Sequence, residues 1–109
     1  MWLVDQCVGR VIAALEKHGL SKNTLLIVTS DNGPLIGSVK IGEREGTAQI
    51  SNGHQSAGNL RGYKGRPFEG GHRVPFIVRW PGKIEAGSLS GQTICFTDML
   101  ATFAAVVDA

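Results

Sequence analysis

Apolar residues near the start of the chain recur every three or four positions: Leu3, Cys7, Val11, Ala14 and Leu15, flanked by Val4, Val8 and Ile12. That period stacks side chains on one helical face, so it predicts a helix over 3–18. Gly19 stands where a left-handed C-terminal cap is expected, with Lys17 and His18 at the negative end of the helix dipole. After the polar segment Ser21–Asn23 the period changes. Thr24 to Thr29 is β-branched and nearly continuous in apolarity, which predicts a strand over 24–30 buried on both faces. Helix, tight turn and buried strand together predict the αβ half of a parallel α/β unit.

Beyond Ser30 the pattern stops. Ten of the fifteen glycines fall between Asp31 and Gly71, so the stretch 31–73 is expected to be loops, and loops this long in a compact domain are usually functional or disordered. Regularity returns in a strand predicted over 74–80, which Pro75 can only begin and Pro81-Gly82 ends. A last amphipathic helix is predicted over 97–107, with Thr97 as its N-cap and Met99, Leu100, Phe103, Val106 and Val107 as its apolar stripe. Two strands are too few for an independent sheet, so the fold class is α/β with an incomplete sheet.

Composition narrows the classes. A chain of 109 residues has room for one domain, and 42% hydrophobic residues make it globular rather than disordered. No apolar run approaches the roughly 18 residues that a membrane span needs. A net charge of +2 announces neither nucleic acid nor a membrane surface. Cys7 and Cys95 could form one disulfide or stay as two thiols; Cys7 lies within the helical period and Cys95 in an apolar run, so buried thiols are expected.

Two constellations could carry chemistry. Ser30-Asp31-Asn32-Gly33-Pro34 follows the first predicted strand directly, where open α/β sheets bind ligands. Carboxylate and amide oxygens there suit a hard cation such as calcium or magnesium; the competing reading is a type I′ turn at Asn32-Gly33. The second is Gly58-Asn59-Leu60-Arg61-Gly62-Tyr63-Lys64-Gly65-Arg66, which opens a stretch, 61–90, with six bases against two acids. Gly62 and Gly65 would let backbone approach a small tetrahedral anion while Lys64 supplies a point charge. A solvated basic loop is the bland alternative. Gly62-x-x-Gly65 also matches the GXXG loop of KH domains, but Pro67 obstructs the helix that should follow, and no nucleic-acid partner is expected. The histidines show no zinc spacing; His18 is expected at a helix end, His72 beside Arg73 in a loop, and His54 where a substrate could reach it.

Taken in order, "NTLLIVTSDNGP", "GNLRGYKG", "FEGGHRVPFIVRWPGKI" and "TDMLATFAAVV" resemble the C-terminal part of the catalytic domain of the formylglycine-dependent sulfatases. "VDQCVGRVIAALEKHGL" resembles the helix before the metal-binding strand of that family. The resemblance implies a partial catalytic domain over 1–109, within the three-layer α/β sandwich of the alkaline-phosphatase superfamily. It also implies hydrolysis of sulfate esters at a Ca2+-supported formylglycine. By the same carry-over Asp31 and Asn32 would be metal ligands, Lys64 would contact the sulfate and offset charge on the leaving oxygen, and His54 would lie in a substrate-facing loop. Glu69, Gly70, Arg73 and Pro75 match positions that hold loop and strand in place. Partners implied are a sulfate-ester small molecule or a sulfated carbohydrate, and family members are commonly periplasmic, lysosomal or secreted.

The family's nucleophile is a cysteine in a C-x-[PA]-x-R context, oxidised to formylglycine. Neither cysteine here has it: arginine follows Cys7 one position too early, and Phe96, Thr97 and Asp98 follow Cys95. The expectation is therefore an incomplete sulfatase, inactive when isolated. A phosphatase or phosphonate hydrolase of the same superfamily, or a non-catalytic anion-binding remnant, are the alternatives.

Overall fold

The computed structural model describes residues 2–35, 37–41, 44–48 and 55–108. Helix α1 spans Trp2–Lys17, with Asp5 in its first turn and Lys17 in its last, each at the dipole end that favours its charge. It ends in a Schellman cap: Gly19 takes φ 68°, its N–H donates to the Glu16 carbonyl at 3.1 Å, and the Leu20 N–H donates to Leu15 at 2.8 Å. A 3-10 turn at Ser21–Asn23 leads into β1, Leu26–Thr29.

Two short strands follow, β2 at Gly37–Ile41 and β3 at Arg44–Ala48, paired antiparallel with Gly37 opposite Ala48 and Ile41 opposite Arg44. Then come the single-turn helix α2 at Glu69–His72 and β4 at Phe76–Arg79, which starts directly after Pro75. A second 3-10 turn, Phe96–Asp98, runs into α3, Met99–Val106.

Pairing departs from the parallel expectation. β1 and β4 are antiparallel, with Leu26 opposite Arg79 and Thr29 opposite Phe76. A parallel pair needs a crossover, usually a helix, lying over the sheet. Between β1 and β4 the described residues hold only the β2–β3 hairpin and the one turn of α2, so the chain returns without crossing. The hairpin itself lies within the stretch expected to be loop. At the far end of the pair the Trp80 indole N–H donates to the Lys22 carbonyl at 2.9 Å, and Arg79 pairs with Glu16 of α1 at 3.1 Å.

Burial also departs from expectation. Leu26, Ile27 and Val28 are half-buried rather than enclosed, and an open apolar trough lined by Cys7, Val8 and Val11 of α1 runs along them. No hydrophobic side chain among the described residues is fully buried. Cys7 and Cys95 are exposed free thiols, not buried ones. Cys7 lines the open trough between α1 and β1, and Cys95 starts the 3-10 turn, its N–H donating to the Asp98 carboxylate at 2.8 Å. The capping box, Cys95 with Asp98, belongs to the 3-10 turn, and the residue at the N-cap of α3 is Asp98 rather than Thr97. α3 is apolar on all sides instead of along one stripe, the pattern of a helix enclosed by others, yet Leu100 is 82% exposed.

Candidate active-site loops

β1 delivers the chain to Ser30–Pro34, where local hydrogen bonds set the geometry. The Ser30 hydroxyl donates to the Asn32 carbonyl at 3.0 Å, and the Asn32 side-chain Nδ2 donates to the Gly33 carbonyl at 2.9 Å. With its nitrogen so engaged, the Asn32 Oδ1 accepts no hydrogen bond from any described residue. Asp31 is exposed beside it and forms no ion pair with any described residue. The hairpin-turn reading of Asn32-Gly33 fails: a type I′ turn needs positive φ at both residues, neither has it, and β1 pairs with β4 rather than with the strand that follows.

The basic loop lies against this segment. Lys64 N–H donates to the Pro34 carbonyl at 2.9 Å, and Gly33 N–H donates to the Gly71 carbonyl at 2.8 Å. Asp31, Asn32 and Lys64 are thereby placed on two loops joined by backbone bonds, although they lie far apart in sequence. His54 lies outside the described residues.

Side-chain partners separate Lys64 from its basic neighbours. The Arg61 guanidinium stacks over the Phe68 ring at 3.8 Å from its centroid, and Arg66 lies 5.3 Å from the Tyr63 ring and donates to its hydroxyl at 3.2 Å. Arg73 pairs with Glu69 at 3.0 Å. Lys64 is exposed and forms no ion pair with any described residue. His72 closes α2 and is exposed.

Donor chemistry can be tested against the implied calcium. Asp31 and Asn32 present hard oxygen donors, the right kind for Ca2+, but calcium takes about six to eight. No cluster of three or more His, Cys, Asp or Glu residues able to hold a metal occurs among the described residues. The remaining ligands of such a site would have to come from outside them.

A family model described as Sulfatase matches residues 2–109. The chain belongs to the sulfatase family. It is 42% identical over 82 residues to the N-acetylgalactosamine-6-O-sulfatase of Bacteroides thetaiotaomicron, covering 75% of this chain and 16% of the relative. It is 38% identical over 107 residues to the steryl-sulfatase of Mus musculus, with 97% and 16% covered. It is also 36% identical over 101 residues to an arylsulfatase of Hemicentrotus pulcherrimus, with 93% and 16% covered. The sulfatase segment thus spans 16% of the length of these curated relatives. No solved structure matches the chain. The described residues agree with the α/β class of sulfatases in their helices and short strands, and no described helix is long and apolar enough to cross a membrane.

Of the glycines at the junction of the two loops, only Gly70 was marked by the family resemblance, as a position that holds loop and strand in place; Gly33 and Gly71 were not legible as functional residues. Gly33 stands in the Asn32-Gly33 pair, whose competing reading is a turn, and Gly71 only completes the doublet Gly70-Gly71.

Proposed function

We propose that this segment supplies part of the active site of a sulfuric ester hydrolase with a three-layer sulfatase sandwich. Its substrate would be a sulfate-ester small molecule or a sulfated carbohydrate. The observation that carries the reading is the backbone junction that brings an oxygen-donor loop, Asp31 and Asn32, against a loop whose lysine has no described partner. Asp31 and the Oδ1 of Asn32 would hold Ca2+, which when bound withdraws charge from the sulfate. The Lys64 ammonium donates to a sulfate oxygen and, because it is a compact point charge, offsets the negative charge that grows on the leaving oxygen. Arg61 and Arg66, occupied by their aromatic partners, shape the loop instead. His54 is proposed as a substrate contact. The formylglycine nucleophile has no counterpart motif in this chain, so the isolated segment is proposed to be inactive.

Titrating the chain with inorganic sulfate while following its amide resonances tests the anion site. Shifts centred on Lys64 and Gly65, absent in Lys64→Ala, are expected. Shifts spread over all the bases and abolished by moderate salt would indicate a diffuse basic surface and refute the assignment. In a complete enzyme containing the segment, turnover of an aryl sulfate in preference to an aryl phosphate separates sulfatase from phosphatase.

A further inference from the structure

Among the described residues the buried ones are Gly33, Gly70 and Gly71, and none carries a side chain. None of them has a left-handed φ, so backbone conformation does not require glycine at these positions. Space does. A Cβ on Gly33 would overlap the Gly70 carbonyl oxygen, one on Gly70 would overlap the Gly62 carbonyl oxygen, and one on Gly71 would overlap that of Arg66 and stand 2.8 Å from that of Tyr63. Real Cβ atoms do not approach backbone this closely, and a carbonyl oxygen fixed in the chain cannot swing away as a flexible side-chain tip can.

These contacts join the two loops of the candidate site. Gly33 N–H to Gly71 O at 2.8 Å and Lys64 N–H to Pro34 O at 2.9 Å cross between them, and Gly70 N–H to Arg61 O at 2.8 Å closes the basic loop on itself. The side-chain hydrogen bonds of Ser30, Asn32, Arg66 and Arg73 all stay within their own loop. The spacing between loops is therefore set by bare backbone.

We propose that Gly33, Gly70 and Gly71 are positioning residues: a side-chain-free seam that sets the separation of Asp31 and Asn32 from Lys64. The idea rests on the reading of those three as site residues and adds what holds them in register. A displacement of about 1 Å at a reacting centre can cost on the order of a hundredfold in rate, so a seam with no room for a methyl group is a strict spacer.

The test uses the 109-residue chain and two readouts by nuclear magnetic resonance. First, amide hydrogen exchange: the Gly33 and Lys64 amides are expected to be protected, and Gly33→Ala to speed exchange of the Lys64 amide by about tenfold or more. Gly91→Ala, where a Cβ meets nothing within 4 Å, is expected to leave it unchanged. Second, Mn2+ as a paramagnetic oxygen-seeking probe: in the unmodified chain it broadens the amides of Asp31, Asn32 and Lys64 together. In Gly33→Ala or Gly71→Ala the first two stay broadened while Lys64 is released, with the α1 and β1–β4 amides unshifted. Unprotected Gly33 and Lys64 amides in the unmodified chain, or an unaltered Lys64 amide in Gly33→Ala, overturn the seam. Loss of the α1 and β1–β4 signals in both variants overturns the positioning role in favour of a purely structural one. If Mn2+ broadens neither Asp31 nor Asn32, the metal assignment fails, and the exchange readout still decides the seam.

Discussion

The elements with regular structure and the loops between them differ in the opposite sense from most globular proteins. α1, β1, β4 and α3 carry the apolar residues, yet Trp2 and Leu3 of α1 are each 71% exposed and Ile77 of β4 is 59% exposed. The loops 30–35 and 55–68, with the single turn of α2, are polar and glycine-rich, yet they contain the buried positions among the described residues. Apolar burial contributes roughly 25 cal/mol per Å2 wherever a partner surface is found, and the helices and strands have found little of it here. Loop packing depends on amide–carbonyl bonds and close contact, which need no large partner surface. A site can therefore be held locally while the surrounding elements stay open.

The contrast can be broken most severely at the basic loop's charge. Lys64→Ala, in a complete sulfatase containing this segment, is expected to lower kcat for an aryl sulfate by about 100–1000-fold, the usual loss when one donor to a developing oxyanion is removed. Arg66→Ala, whose guanidinium is engaged with Tyr63, is expected to cost far less. Steady-state kinetics of the two variants side by side would check this.

The same glycine-to-alanine change should have opposite signs in the two regions. Gly71→Ala forces a methyl group onto the Arg66 carbonyl and is expected to destabilise the loops by about 1–3 kcal/mol, seen as faster proteolysis between Arg61 and Arg73. Gly9→Ala in α1 meets nothing within 4 Å and is expected to raise helicity and stabilise by about 0.5–1 kcal/mol, read by circular dichroism. Equal effects at both positions would abolish the distinction.

A smaller effect is expected where β4 is tied to the turn after α1. Trp80→Phe keeps the ring but removes the indole donor to Lys22, costing about 1 kcal/mol in urea unfolding.

The smallest concerns Cys95. Hydrogen bonding from Thr97, its side chain first and its backbone next, holds this thiol below the usual range, against raising influences from desolvation and the Asp98 carboxylate. Folding thus favours the thiolate. The stabilisation is fully present above the unfolded thiol's pKa and is lost as pH falls through the lower folded value. Thr97→Val is expected to slow iodoacetamide alkylation of Cys95 a few-fold at neutral pH and to shift its pH profile upward. An unchanged profile would leave the capping turn without influence on the thiol.

How much of this was legible differs from element to element. The i, i+4, i+7 spacing of Val8, Ile12 and Leu15, the half-buried stripe of α1, is written in the apolar period, and Gly19 marks its end. The strands announce themselves through β-branched runs, but nothing in Leu26–Thr29 encodes which way its neighbour points, so the antiparallel pairing with β4 was invisible. The β2–β3 hairpin was hidden by glycines, although Ser38-Val39-Lys40-Ile41 alternates polar and apolar as a strand should. At the site, Asp31, Asn32 and Lys64 drew notice because their side chains carry donors, acceptors and charge. Gly33 and Gly71 did not, since their contribution is the absence of a side chain, and only three-dimensional proximity gives that absence meaning.

The bond between Gly33 and Gly71 joins an amide to a carbonyl, groups present at nearly every position of any protein. A joint of that kind cannot tell one amino acid from another in its surroundings. Side chains around the joint can be exchanged without touching it, provided three hydrogens stay where methyl groups cannot go. Under the proposed seam, alignment of the two loops would rest on positions with no room for a methyl group and not on the identity of the side chains around them.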